Sequence, residues 1–551
     1  MAQQESKIFR THFGETTFRG KYAQGVSDSW PLLAKRLVDD VCGTRGGTLP
    51  PLMSKDERDE LTQFIIAMKF IPGGRYLYYA GRPVHFYNNC FAFKSQEDSR
   101  EAWAKLVHDA MSALMSGGGI GNDYSVFRPE GSIIGRTGGL ASGPIPLMKA
   151  VNELGRNVMQ GGSRRSAIYG SLNWQHADAP KLLYVKDYPD WMKKKKEEDF
   201  NFPCPLDMTN ISINFDTEFL HKHLGEGKEL PQFWYDSVRQ MCSTAEPGHS
   251  YNFLQHEGET GRNACAEFTT SDDGDICNLG SINLGRIQSL PDLCDVVRLA
   301  AKFLVCGSIR GDVPLESIRL IREKNRKIGL GLMGVHEWLM QRGYKYEVCS
   351  ELHKWLHMYA NLSEEAANEH CDRFYINRPL RYRAIAPAGT IGILAGTTTG
   401  IEPIFAPAYK RRFLVGGDTW KYEYVIDGTA KHLTEYYGVD PDSIDNAYSL
   451  AEDPEKRIRF QADIQAYVDM AISSTINLPS WGSVNNNEDT CKKFAETLAR
   501  YAPRLRGFTA YPDGCRGGQP LTIVPYKEAL QHEGVIFDES EAQCKGGVCG
   551  I

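Results

Sequence analysis

Asn263-Ala264-Cys265-Ala266-Glu267 places a thiol two positions from an amide on one side and two from a carboxylate on the other. In an extended strand or loop tip, alternate side chains point the same way, which puts Asn263, Cys265 and Glu267 on one face. Such a face offers one small substrate a hydrogen-bond donor, a sulfur capable of one-electron chemistry and a general base. The same five residues also read as a turn with a buried cysteine, since free cysteine is among the most buried residue types. The rest of the chain decides between the two readings.

At 551 residues and 42% hydrophobic, the chain has enough material for one very large globular domain or several ordinary ones. A net charge of -6 and a pI near 6.2 argue against nucleic acid as a partner. The run Lys193 to Lys196 is followed by Glu197, Glu198 and Asp199 and reads as a solvated face. The opening MAQQESKIFR has no apolar signal core, and no stretch approaches the ~18 apolar residues of a membrane span. A cytoplasmic protein with no membrane partner is expected, in a bacterial cytosol or in a host cytosol if a virus encodes it. The 14 cysteines are scattered; in a reducing compartment they are thiols, with any disulfide transient and catalytic. No paired C-x-x-C sets occur, so no structural metal site is expected.

Residues 1–70 read as helical, with Ser54 and Glu57 as a capping box and Leu61, Phe64, Ile65 and Met68 along one face. Pro72-Gly73-Gly74-Arg75 breaks that helix, and Tyr76 to Tyr79 reads as a short aromatic strand. Asn88 to Phe93 is an apolar strand carrying Cys90. Asp98-Ser99 opens a helix with Trp103, Leu106, Val107, Ala110, Met111 and Leu114 inward and Asp98 as its cap. Gly117 to Gly121 ends it and leads into a loop carrying Arg128, with glycine suited to backbone that approaches a ligand. A helix from Ser142-Gly143-Pro144 ends in the glycine-rich segment Gln160 to Ala167. Its two arginines suit phosphate or base recognition, or simple solvation. Between about 190 and 250 the chain is polar and carries little pattern.

Cys277 then enters the strand CNLGSINL, and Lys327 to Gly334 (KIGLGLMG) reads as a buried strand. Ala386 to Ile391 is a strand leading to Gly-Thr at a helix start, an arrangement that offers amides to a phosphate. Pro454 to Ile476 reads as a long helix, and Arg506 to Tyr511 as a strand. Cys544 and Cys549 flank Gly546-Gly547 near the terminus, where a mobile pair suits a redox shuttle. Strands alternating with helices over some 450 residues point to one large α/β barrel or sheet.

Five motifs in this order, from NNCFAF (Cys90) through N-x-C-x-E, CNLGSINL (Cys277) and the loop 387–391 to the tail pair, resemble the ribonucleotide reductase large, catalytic subunit from about Pro72 onward. The resemblance implies a ten-stranded α/β barrel of two five-stranded halves with a central finger loop. It divides the chain into an N-terminal helical region (1–70, without an ATP cone), the barrel (71–524) and a flexible tail (525–551). Carried over residue by residue, Cys265 is the thiyl-radical position that takes the ribose 3′-hydrogen. Glu267 is the base for the 3′-hydroxyl, and Asn263 holds the substrate hydroxyls. Cys90 and Cys277 supply the electrons that expel the 2′-oxygen as water. Cys544 and Cys549 restore them by exchange with an external dithiol of thioredoxin or glutaredoxin type. Ala388, Gly389, Thr390 and Ile391 match the substrate phosphate loop, with Ala388 in place of the usual serine. Asp98 and Arg128 match the site for a dNTP or ATP specificity effector, and Gln160, Gly161, Gly162, Ser163 and Arg164 the loop that relays effector identity. That site lies at a dimer interface in the family, which implies a homodimer.

The radical source is read from the segment GFTAYPDGCRGGQPL. Members that use a separate radical-bearing subunit carry two adjacent tyrosines here, whereas this chain has Tyr511-Pro512. The segment resembles the adenosylcobalamin-dependent class, so adenosylcobalamin is the expected cofactor and ribonucleoside di- or triphosphates the substrates. The alternatives are a catalytic subunit served by a separate radical-generating subunit, and a non-catalytic nucleotide-binding paralogue. The presence of all five central residues opposes the last.

Overall fold

The computed structural model describes residues 8–538, apart from 46–48, 89, 136, 159–165, 200–201, 416–418 and 516–520. Helices His12–Lys21, Trp30–Cys42 and Lys55–Ile66 lead in. The third starts on the expected capping box: Glu57 N donates to Ser54 Oγ at 3.2 Å and Ser54 N to Glu57 Oε2 at 2.9 Å. Strand β1 (Phe70–Pro72) follows.

Five strands then run parallel in sequence order: β2 (Cys90–Lys94), β3 (Gly119–Asp123), β4 (Ile168–Asn173), β5 (Thr209–Asp216) and β6 (Gly248–Asn252). A two-stranded hairpin, β7 (Gly261–Arg262) and β8 (Thr269–Thr270), carries Asn263 to Phe268 at its tip. The second half opens with β9 (Asp275–Asn283), which is antiparallel to both β1 and β2 and parallel to β10 (Ile328–Met333). Strands β11 (Ala408–Val415) and β12 (Thr419–Ile426) form an outlying antiparallel pair. The half ends with β13 (Thr475–Leu478) parallel to β14 (Gly507–Pro512), which is antiparallel to β6.

The ring closes through the extended segment 383–385, which bridges β10 at Leu330↔Arg383 and the approach to β13 at Ile385↔Ile472. Leu330 N donates to Tyr382 O at 3.0 Å and Ser473 N to Ile385 O at 2.8 Å. Two five-membered parallel halves thus meet at two antiparallel seams, β2/β9 and β6/β14. The expected ten-stranded barrel is present. One apolar cluster packs helices on the first half, and another packs the N-terminal helices and Leu290–Arg310 and Ser350–Arg373 on the second. Among the described residues, no helix is long and apolar enough to cross a membrane.

Several local expectations are corrected. Tyr76 to Tyr79 lies in the helix Gly74–Tyr79, and the strand is the preceding Phe70–Pro72. Ser99, not Asp98, caps Arg100–Ser116: its hydroxyl accepts from Ala102 N at 3.0 Å. The glycine run after that helix leads directly into β3, and an added Cβ at Gly118, just before the strand, would come within 2.1 Å of the Phe91 ring. The helix from Pro454 stops at Gln465, because Asp469 turns the chain into the barrel by accepting from Tyr382 N at 2.8 Å and Arg383 N at 2.7 Å. The polar stretch 190–250 contains β5 and β6. Residues assigned to the tail are folded as far as 538: helix Tyr526–His532 follows β15 (Leu521–Ile523), and β16 (Ile536–Asp538) joins β15, β11 and β12 in a four-stranded sheet.

Candidate active site

The hairpin β7/β8 projects into the barrel and presents the Asn263–Glu267 stretch beside β2 and β9. The tip is a turn rather than an extended strand: Ala266 N donates to Asn263 O at 3.0 Å, and Ala266 takes a left-handed φ of 65°. Strand alternation is therefore not what gathers the side chains. The turn folds Glu267 back onto Asn263, whose Nδ2 donates to Glu267 Oε1 at 2.8 Å and to Cys90 Sγ at 2.9 Å. Asn263 Oδ1 accepts from Phe268 N at 3.0 Å, which fixes the amide. The walls and the hairpin's own Arg262 hold the tip backbone: Asn210 Nδ2 donates to Ala264 O at 3.1 Å, Arg262 Nη1 to Ala266 O at 3.3 Å and Ala471 N to Glu267 O at 2.9 Å.

Cys90 and Cys277 are direct partners across the antiparallel β2/β9 seam. Opposed residues of such a pair have Cα atoms about 4.5–5.5 Å apart, inside the range a disulfide spans. Both are buried, whereas Cys265 at the tip is exposed. Burial, then the Glu267 carboxylate, pushes the pKa of both thiols well above the ordinary value. Both are therefore protonated at neutral pH and hold a proton as well as electrons.

Glu267 is 1% exposed, and burial lifts its carboxyl to about 6 against the hydrogen bonds from its own amide, Asn263 and Cys90. Its Oε2 has no hydrogen-bond partner. A buried carboxylate with one oxygen engaged and the other open is placed to accept a proton from a substrate hydroxyl.

Cys90, Asn263, Cys265 and Glu267 line one cleft of about 330 Å³ with Ala386 to Ile391 on its wall, and Cys277 adjoins it as the cross-strand partner of Cys90. Helix Gly389–Ala395 begins there with no side-chain cap, leaving amides at its start for an anion. Tyr22, Arg75 and Ser281 also line the cleft. No motif singles them out; Arg75 in particular follows two glycines that read only as a helix break. Beneath the cleft, Lys327 pairs with Asp275 at 2.9 Å, both side chains buried. Arg506 donates to Glu259 at 2.8 Å, and Arg381 pairs with the same carboxylate.

On the outer face, Arg128 Nε donates to Asp98 Oδ2, which joins two residues 30 positions apart. The expected specificity loop, Gln160 to Arg164, and the pair Cys544 and Cys549 lie outside the described residues.

A family model described as ribonucleotide reductase, barrel domain, matches residues 88–203, 249–367 and 380–509, more than half of the chain. The chain belongs to this family. Its three matched blocks hold Cys90, then Asn263 to Ser281, then the loop 386–391, and each contributes residues to the lining of the cleft. A protein of Thermoplasma acidophilum named vitamin B12-dependent ribonucleoside-diphosphate reductase is 26% identical over 83% of this chain, which spans 65% of that relative's length. One of the same name from Mycobacterium tuberculosis is 26% identical over 88% of this chain and 74% of its own. The ribonucleoside-diphosphate reductase large subunit of Caenorhabditis elegans is 26% identical over 47% of this chain and 39% of its own.

Proposed function

We propose that this chain reduces ribonucleotides to 2′-deoxyribonucleotides by thiyl-radical chemistry dependent on adenosylcobalamin. The observation that carries the reading is the pairing of Cys90 with Cys277 across the seam, with Cys90 itself lining one cleft with Cys265, Asn263 and Glu267. As a thiyl radical, Cys265 takes the substrate 3′-hydrogen. Glu267 accepts the 3′-hydroxyl proton through its open oxygen while Asn263 holds it in place. Cys90 and Cys277 together give two electrons and two protons: the 2′-oxygen leaves as water, a hydrogen replaces it, and the two sulfurs become a disulfide. Exchange with Cys544 and Cys549, and then with an external dithiol of thioredoxin or glutaredoxin type, restores the thiols.

The residues present fit the cobalamin. Cys265 is exposed while Cys90 and Cys277 are buried, so a bulky group reaches only the sulfur that starts the reaction. At the end of β14, Pro512 pairs with Leu478 and offers no phenol beside Tyr511. When bound, the cofactor supplies the one-electron oxidation of Cys265 through its weak cobalt–carbon bond. Ala388 to Ile391 hold the substrate phosphates. Asp98 and Arg128 belong to a specificity-effector site for a dNTP or ATP, read through Gln160 to Arg164 at a homodimer interface.

The test is incubation of the purified chain with each ribonucleotide, dithiothreitol and adenosylcobalamin. Deoxynucleotide should form only with the cobalamin and not in Cys265→Ala; no product, or equal product without the cobalamin, overturns the proposal. The Cys544→Ser/Cys549→Ser variant should lose turnover driven by a thioredoxin-type donor and keep it with dithiothreitol.

A further inference from the structure

Among the described residues lining the catalytic cleft, Arg75 is the one that carries a positive charge. The other lining groups are a single carboxylate (Glu267), neutral polar side chains, glycines and small apolar residues. A ribonucleotide di- or triphosphate brings several negative charges into this space. The wall formed by Ala386 to Ile391 meets them with no cation, and with alanine at 388 where a hydroxyl would donate.

The guanidinium is held in a defined pose. A Cβ added at Gly117 would lie 2.6 Å from Arg75 Cζ, 2.6 Å from Nη2 and 2.7 Å from Nη1. Three nearly equal distances mean that Gly117 lies above the guanidinium plane at its Nη1/Nη2 end. Only glycine leaves that slot open, and its φ of 99° excludes other residues as well. With a face covered, hydrogen bonding falls to the N–H-bearing edge, which makes paired bonds to phosphate oxygens. Arg75 itself is 4% exposed. A guanidinium so far from water binds an anion far more strongly than a surface lysine does.

We propose that Arg75 is a substrate-binding residue that holds the polyphosphate of the ribonucleotide, acting with the 386–391 wall. The inference rests on the ribonucleotide-reductase reading of the cleft and adds to it the cation that the phosphate loop lacks.

The experiment is calorimetric titration of inorganic pyrophosphate, and separately of a phosphate-free ribonucleoside, into the full chain and its Arg75→Gln and Arg75→Lys variants. Pyrophosphate should bind wild type, bind Arg75→Gln at least about tenfold more weakly, and bind Arg75→Lys with intermediate affinity; a tenfold loss is about 1.4 kcal/mol. Nucleoside affinity should stay within about twofold, whereas a merely structural role would weaken both ligands together. In turnover, KM for the nucleotide should rise with kcat nearly unchanged. Equal pyrophosphate affinity in wild type and Arg75→Gln, or no binding by wild type, overturns the proposal. If Arg75→Gln does not fold, Arg75→Lys decides alone, since it keeps the charge and loses the planar fork; unweakened binding then overturns it. Pyrophosphate binding is read without turnover. Arg75-dependent binding with no deoxynucleotide product would defeat the reductase reading alone, and product with Arg75-independent binding would defeat only this inference.

Discussion

Glu267 sits in a site that works against its charge. Burial raises its carboxyl from 4.5 to about 6, so the folded chain holds this proton more tightly than the unfolded chain does. By linkage, this group's favourable contribution is complete below about pH 4.5 and is lost as pH rises through about 6. At neutral pH the ionised side chain costs about 2 kcal/mol, since each tenfold change in proton affinity is worth roughly 1.4 kcal/mol. Glu267→Gln should therefore raise stability in urea melts at pH 7.5 by about 1–2 kcal/mol, give no gain near pH 4, and abolish reduction. A lower stability of the variant at pH 7.5 would contradict the burial account. In wild type, kcat should rise with pH through about 6 as the base ionises. The grouping of Asn263, Cys265, Glu267, Cys90 and Cys277 was legible because each sits in a motif of the resemblance. The left-handed Ala266 was not, since alanine carries no preference for that conformation, and neither was Arg75, whose partners in the cleft are distant in sequence.

The finger hairpin is the element that turns a barrel into a site. Arg262, fully buried, donates from Nη2 to Asn252 Oδ1 at 2.8 Å and to Arg506 O at 3.0 Å, and from Nη1 to the tip at Ala266. On its other side, β3 approaches so closely that a Cβ at Gly121 would stand 2.1 Å from the Arg262 carbonyl oxygen. Backbone cannot yield as a flexible side chain would, so Gly121→Ala must displace the hairpin. It should cost about 1–3 kcal/mol in denaturant melts, and deoxynucleotide formation should fall at least about 100-fold, the scale of an ångström-sized misplacement. Wild-type activity in a folded Gly121→Ala chain would refute the close approach. The same interior explains why β5 and β6 escape a reading by hydropathy. Ile211, Ile213 and Phe215 face the outer helices, while Ser212 and Asn214 alternate toward the polar interior. There Asn214 donates to Ser171 at 3.0 Å and Tyr169 pairs with Ser250 at 2.8 Å. A barrel lined with polar groups does not look apolar in sequence, so TNISINFD and GHSYN carry little strand pattern.

For the molecule as a whole, alternating strands and helices left a barrel or a sheet open and the family resemblance implied the barrel, whereas its closure through 383–385 rests on a few bridges that no sequence period marks. The closed ring sets the geometry of turnover. A single turnover without external reductant should leave a Cys90–Cys277 disulfide, seen as one cross-linked peptide pair in mass spectrometry and absent from Cys277→Ser. A cross-link found elsewhere, with product formed, would displace this pair from its role. The two sulfurs belong to different halves of the barrel, and the bond between them lies across a seam otherwise joined by hydrogen bonds. On the proposed cycle, each turnover would rivet the two halves together and then draw the rivet. The spent enzyme of that cycle would be the mechanically continuous one: it should resist denaturant more than the reduced enzyme, by up to about 4–5 kcal/mol for so long a closed loop. A reductant that serves such a cycle would work against that extra cohesion every time it readied the site.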